Sequence, residues 1–265
     1  MKLRDKVAIV TGAGRGIGEA IAKKLASEGA STMVDDIHIE EANRVAQEIK
    51  NQGGKAIPFK ANVNNRKEVQ DLVNSTLKLF DAIHILVNNA GIARHKPLLE
   101  LTEEDWDIVL GVDLKGVFNC TQAVLKHMIA QQYGKIVNIS SLAGVGGGND
   151  PSRTDTAAKG DAPANYAAAK AGVVALTKVT AREAGPYGIN VNCVAPGFIV
   201  TPLSYETRGK EGLDKLIEQR KRATVLGRVG KPEDVANLVL FLVSEDSSYM
   251  SGQIIRVDGG RTDLF

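Results

Sequence analysis

Short runs rich in Val and Ile alternate with longer runs whose apolar residues recur at helical spacing, from one end of the chain to the other. No other feature of the sequence restricts the fold as strongly. Strand-like runs occupy residues 7–10, 32–34, 56–59, 83–87, 135–139, 190–194 and 253–257. Between them lie helical patterns. The first runs through Ile17, Ile21, Ala22 and Leu25 to a stop at Gly29, and others occupy 40–50, 67–80, 103–130, 165–184 and 234–243. The longest, 103–130, carries Gly111 and Gly116 as sites for a bend. Strands separated by helices make parallel pairs, and continuous apolar strands fit a sheet covered on both sides. The expectation is an α/β fold: a doubly wound seven-stranded parallel sheet with helices on both faces, spanning residues 1–265 as one domain.

Composition removes other classes. The net charge is +2 from 33 basic and 31 acidic side chains, too small to argue for nucleic acid. No run is read as approaching the apolar length that spans a bilayer, and residues 1–6 lack a signal-peptide core. Cys120 and Cys193 each sit in an apolar stretch and read as buried thiols. His38, His84, His95 and His127 are scattered without metal-ligand spacing, so no metal is expected. A cytoplasmic protein with a small-molecule substrate, and no nucleic-acid or membrane partner, is the expectation. Residues 144–163 break the rhythm with a Gly-, Asp- and Thr-rich segment of no period.

The first strand-to-helix turn reads Thr11-Gly12-Ala13-Gly14-Arg15-Gly16-Ile17-Gly18. Glycines let backbone approach a pyrophosphate, and the following helix offers aligned N–H groups with a partial positive charge. By itself such a cluster also fits a plain strand-to-helix turn; its context and the acidic residue that follows make a Rossmann-like dinucleotide turn the expectation. Asp36 follows 18 positions after Gly18, at the predicted end of the second strand. A carboxylate there accepts hydrogen bonds from the adenosine ribose hydroxyls and repels the extra phosphate of NADP. Asp35 is adjacent, but strand alternation sends it to the opposite side. Arg15 argues the other way, as a guanidinium able to meet that phosphate. The balance predicts NAD over NADP.

Five motifs in order give the sequence a specific resemblance to the short-chain dehydrogenase/reductase family. The glycine turn has TGxxxGxG spacing. Asn88-Asn89-Ala90-Gly91 follows the fourth strand and Ser141 the fifth. Tyr166 and Lys170 form a YxxxK pair, and Pro196-Gly197 follows the sixth strand. The resemblance implies that Gly12, Arg15, Gly16, Ile17, Gly18 and Asp36 bind the dinucleotide. It also implies that Asn62 and Val63 contact the adenine and that Asn89, Ala90 and Gly91 lie along the adenosine side. Pro196, Gly197, Ile199 and Thr201 would flank the nicotinamide, with Tyr166 and Lys170 holding its ribose. It further implies a homotetramer with the last strand at an interface.

A phenol with an ordinary pKa of about 10 is a poor base at neutral pH, and an ammonium nearby favours its ionised form. Tyr166 and Lys170, four apart on a predicted helix, share a face. Tyr166 would then exchange a proton with a carbinol oxygen while Ser141 holds that oxygen; Ser140, one residue out of register, points away. Two departures stand out. Asp113 occupies the place where the family has a supporting Asn, and is a catalytic-support candidate. The interval from Ser141 to Tyr166 is longer than usual, with the extra residues at about 149–161, a loop insertion that either borders the substrate entrance or is a surface addition without a role there. Residues 201–222 read as a polar, helical substrate lid whose Arg220, Lys221 and Arg222 form a solvated face.

The leading expectation is hydride transfer between NAD and a secondary alcohol or ketone. The alternatives are an NADPH-dependent 3-oxoacyl thioester (acyl-carrier-protein) reductase and, from another class, a dinucleotide-binding sensor or scaffold with little turnover.

Overall fold

The computed structural model describes residues 1–94, 96–146 and 163–262. Among these residues seven parallel strands form one sheet in the order β3-β2-β1-β4-β5-β6-β7. They are β1 (Val7–Thr11), β2 (Ser31–Asp35), β3 (Lys55–Phe59), β4 (Ile85–Asn88), β5 (Gly134–Ile139), β6 (Ile189–Pro196) and β7 (Ile254–Val257). The order reverses between β1 and β4, which opens a crevice at the carboxyl ends of those two strands.

Strand alternation builds two cores. On one face Ala8, Val10, Val34 and Val87 pack against α1 (Gly16–Ser27) and α2 (Ile39–Asn51). On the other, Ile9, Met33, Leu86 and Ile136 pack against α3 (Arg66–Phe80) and a long helical run from Glu103 to Ala130. Each fully buried Ile or Leu contributes about 1.5–3 kcal/mol, so a one-residue slip of any inner strand would exchange its two faces at large cost.

The long run does not simply bend at its glycines. It divides into α4 (Glu103–Leu110), a π turn (Gly111–Lys115) and α5 (Gly116–Ala130). Both glycines admit the segment after β3. A Cβ at Gly111 would lie 2.7 Å from Asn64 Nδ2, and one at Gly116 would lie 2.6 Å from Val63 Cγ2. Contrary to the sequence reading, this 28-residue run is long and apolar enough to cross a membrane by length and composition, but half of its most apolar stretch is buried inside the protein.

The segment read as irregular from residue 144 is helical in its first residues, which close a short helix, α6 (Leu142–Gly146). Residues 147–162, with the insertion at 149–161, fall outside the described residues. The second half carries α7 (Ala164–Ala184), α8 (Pro202–Arg222) and α9 (Pro232–Val243). The lid-like segment is helical as expected but broken at Gly209, whose φ of 65° leaves the helical region. Cys120 and Cys193 are free, buried thiols.

Candidate active site

The glycine turn works by close approach. A Cβ on Gly18 would sit 2.1 Å from the Gly12 carbonyl oxygen, so only glycine lets α1 start this near β1. Gly12 and Gly16 have φ of 60° and 59°, values that favour glycine. Asn89 donates its side-chain amide to the carbonyls of Thr11 and Gly12, both at 3.0 Å. The Thr11 hydroxyl accepts the N–H groups of Asn89 and Ala90, each at 3.1 Å. The loop after β4 therefore braces the turn, a task for Thr11 that the motif spacing alone does not reveal. Arg44 Nη2, on α2, donates to the Gly14 carbonyl at 2.8 Å and pairs with Glu19, Glu41 and Glu48. Its only sequence signal is the common i,i+3 spacing to Glu41 and i,i+4 spacing to Glu48, shared by many surface helices, while the pairing with Glu19 on α1 has none.

β2 ends at Asp35, and the two aspartates diverge as alternation requires. Asp35 is 1% exposed, and burial, with Asp36 beside it, pushes its carboxyl well above the usual range. Asp36 turns toward the glycine turn, where Oδ2 accepts the Gly14 N–H at 2.9 Å and Oδ1 the His38 N–H at 3.0 Å. Asn62 follows β3, and its Oδ1 accepts the Asn64 N–H. Val63 is buried against the π turn, and its carbonyl accepts from Asn119 at 2.9 Å.

At the far end of the crevice, β5 delivers two serines that point apart. Ser140 is 3% exposed and donates to the Lys170 carbonyl at 2.8 Å. Ser141 is half-buried, and its Oγ accepts the Ala143 N–H at 3.2 Å, which leaves its hydroxyl proton to be donated elsewhere. α7 carries Tyr166, half-buried, and Lys170, buried beneath it, with Nζ 5.6 Å from the Tyr166 ring centroid. The start of α7 is tied down by Asn165, buried, which donates to the Asp105 carbonyl at 2.8 Å.

Lys170 Nζ donates to the Ile139 carbonyl at 3.1 Å and pairs with Asp113 Oδ2 at 3.1 Å. Burial opposes the ammonium, but Asp113 and Tyr166 outweigh it and hold Lys170 above its usual value. Asp113 Oδ1 accepts the Ile92 N–H at 2.8 Å, so the carboxylate reaches the lysine directly. Gly91 lies against this pair: a Cβ there would meet Asp113 Oδ2 at 2.9 Å and Lys170 Nζ at 3.3 Å. It thus adjoins the lysine end of the crevice as well as the strand end that carries Asn89.

The segment after β6 frames one side. Gly197 passes within 2.8 Å of Asp258 Cα at the point where a Cβ would stand, and Ile199 is buried and bridges to Gly230. Thr201 caps α8, and its Cγ2 would lie 3.3 Å from a Cβ on Gly16, so the first turn of α8 faces the glycine turn. Arg220 departs from the solvated face expected of it. It is 5% exposed and lines a cavity of about 460 Å³ with Ile199, Arg228 and Asp258. No cluster of metal-ligating side chains occurs among the described residues.

The donor set and the close-approach glycines at one sheet edge fit a nicotinamide dinucleotide. Residues 12–262 match the family described as enoyl-(acyl carrier protein) reductase. The chain is 43% identical over 264 residues to a 3-oxoacyl-[acyl-carrier-protein] reductase of Thermotoga maritima, covering 98% of this chain and 99% of that one. It is 40% identical over 262 residues to the (2S)-[(R)-hydroxy(phenyl)methyl]succinyl-CoA dehydrogenase subunit BbsD of Thauera aromatica, covering 99% and 98%. A solved levodione reductase superposes with a TM-score of 0.87 at 31% identity, covering 99% of this chain and 100% of that one. The chain is an oxidoreductase acting on carbinol or keto groups with a nicotinamide dinucleotide, and it belongs to the short-chain dehydrogenase/reductase family.

Proposed function

We propose that the protein reduces the 3-oxo group of an acyl thioester, and oxidises the matching 3-hydroxyacyl thioester, as a single catalytic domain with NAD(H) as its cofactor. One observation carries the substrate class. Two near full-length relatives, at 43% and 40% identity, are named for acyl thioesters, one on acyl carrier protein and one a hydroxyl-bearing acyl-CoA. That supports the thioester alternative over the broader secondary-alcohol reading. The levodione reductase likeness keeps a free cyclic ketone as a second reading, at lower identity.

NAD(H) is favoured by Asp36, whose carboxylate is held at the glycine turn by the Gly14 and His38 N–H groups. A phosphate on the ribose would meet that negative charge. Gly12, Arg15, Gly16, Ile17 and Gly18 would hold the pyrophosphate, and Asn62, Val63, Asn89, Ala90 and Gly91 the adenosine side and its continuation. Pro196, Gly197, Ile199 and Thr201 would flank the nicotinamide, which when bound supplies or accepts hydride at the carbinol carbon. Ser141 donates a hydrogen bond to the substrate oxygen, fixing it beside Tyr166. Tyr166 gives its phenolic proton to that oxygen in reduction and takes one in oxidation. Lys170 holds the nicotinamide ribose and steadies the phenol. α8, hinged at Gly209, would close over the substrate. β7 is the outer strand of the sheet and half-buried, which suits it to an interface in a homotetramer.

The test is steady-state reduction of acetoacetyl-CoA and of a 3-oxoacyl carrier protein with NADH and NADPH, beside a panel of cyclic ketones. Higher kcat/KM for the thioesters, with NADH preferred, is expected. Higher kcat/KM for the free ketones would overturn the substrate class, and an NADPH preference would overturn the role of Asp36. Tyr166→Phe that binds NADH but loses about 10²- to 10⁴-fold in turnover excludes a sensor or scaffold.

A further inference from the structure

The buried pair of Asp113 and Lys170 sets a carboxyl group against the ammonium beside Tyr166, at the position where the resemblance implies an Asn. Asp113 is 0% exposed, in the π turn, and its Oδ2 lies 3.1 Å from Lys170 Nζ. Lys170 Nζ is 5.6 Å from the centroid of the Tyr166 ring, so the ammonium stands closer to the carboxylate than to the centre of the phenol ring. The groups facing the pair among the described residues are few. α7 supplies Lys170 and Tyr166, and β6 supplies Cys193, whose thiol burial pushes up to about 11, so that it stays neutral at working pH. β5 supplies the Ile139 carbonyl, and the loop after β4 supplies the Ile92 N–H. The nearby acid of α4, Asp105, is engaged by Lys96 and Thr102. Burial pushes the Asp113 carboxyl above its usual value, and Lys170 pulls it back only in part.

An ammonium beside a phenol favours the ionised form, and a carboxylate touching that ammonium cancels much of its field at the ring. We infer that Asp113 is a positioning residue that offsets the charge of Lys170 at Tyr166 and moves the pH window of turnover upward, so that ketone reduction persists to higher pH than it would with an amide at this position. The inference rests on the proton-transfer role proposed for Tyr166. Its sign is fixed in both directions. Reduction needs the phenolic proton and falls as pH rises through its midpoint, whereas oxidation needs the proton gone and rises with pH. Removing the carboxylate lowers both midpoints together. Asn is nearly isosteric and keeps a carbonyl to accept the Ile92 N–H, so charge is the main thing removed.

The experiment measures kcat against pH for the full-length wild type and Asp113→Asn, with acetoacetyl-CoA and NADH, then with 3-hydroxybutyryl-CoA and NAD. Tyrosinate absorbance, taken as the difference from the matching Tyr166→Phe protein, gives a midpoint independent of turnover. Asp113→Ser carries the same measurements if the Asn variant does not fold. The expected result is a fall of about one pH unit or more in both kinetic midpoints and in the absorbance midpoint. Lower rates at every pH with unmoved midpoints would overturn the inference and leave Asp113 a structural support. A rise in the midpoints would overturn it as well. Full turnover by Tyr166→Phe would instead bring down the proton-transfer reading itself, so the two failures are told apart.

Discussion

The Asp36 carboxylate accepts the backbone N–H of Gly14 at 2.9 Å, so the acidic residue after β2 is fastened to the turn it is proposed to serve. A Cβ on Gly14 would stand 2.7 Å from that same oxygen, which leaves no room for a larger residue between them. Asp36→Ser removes the charge and keeps a small polar group. A hydrogen bond to a charged group contributes about 1.5–3 kcal/mol, equivalent to roughly a 10- to 100-fold effect. The kcat/KM ratio of NADH to NADPH is expected to fall by about that factor. An unchanged ratio would show that discrimination lies elsewhere, with Arg15 the first residue to test.

Adjacent serines at the end of β5 have opposite tasks. Ser140 is buried and satisfies the Lys170 carbonyl, whereas Ser141 is half-buried and its Oγ accepts the Ala143 N–H, which leaves its proton for the substrate oxygen in the proposed mechanism. Ser140→Ala should cost about 0.5–1.5 kcal/mol in urea unfolding and change turnover little. Ser141→Ala, which loses the bond from the Ala143 N–H, should cost a similar amount in unfolding but lower kcat about 10²- to 10³-fold. Equal losses of turnover from the two substitutions would mean that their register has been assigned the wrong way round.

Strand alternation made the sheet legible, because an inner parallel strand needs only a short apolar run to declare itself and β1, β4 and β5 supply one each. The approach of Lys170 to Tyr166 followed from their four-residue spacing on α7, which sets Nζ 5.6 Å from the ring centroid. The π turn did not, because a single turn of i→i+5 bonding has no residue signature of its own in a run that already carries two glycines. Gly111 and Gly116 suggested a bend, but what they accommodate is Asn64 and Val63 from the segment after β3, a contact with no local sequence period. Arg220 was misread for the same reason. Its neighbours Lys221 and Arg222 look like a solvated face, and only the tertiary cavity shows that one of the three turns inward.

Between β4, β5 and α7 runs a chain of buried amides and hydroxyls. Asn88 Nδ2 donates to Asn138 Oδ1 at 2.8 Å and to Thr121 at 3.1 Å, and Asn138 Nδ2 donates to Thr177 at 2.9 Å. Asn138→Leu would leave the Asn88 donor one partner short and press an aliphatic side chain against polar atoms. A loss of about 1–3 kcal/mol is expected for each buried group left unsatisfied, read by urea denaturation. A stability within about 0.5 kcal/mol of wild type would mean that the network rearranges around the substitution.

Asp105 joins two parts of the site. Its carboxylate closes the capping box at the start of α4 and pairs with Lys96, while its backbone carbonyl accepts from Asn165 at the start of α7, next to Tyr166. Lys96 and the Thr102 hydroxyl hold its carboxyl down at about 2, against an ordinary 3.8. A carboxyl whose folded value is depressed stabilises the fold above its unfolded value, and that contribution is lost as pH falls through the folded one. Wild type should therefore melt at a higher temperature than Asp105→Asn at pH 5, and the gap should close between about pH 4 and pH 2. A gap that stays constant over that range would mean that the carboxylate contributes shape rather than charge. The bond from Asn165 to the Asp105 carbonyl does not involve the carboxylate and should survive the substitution either way.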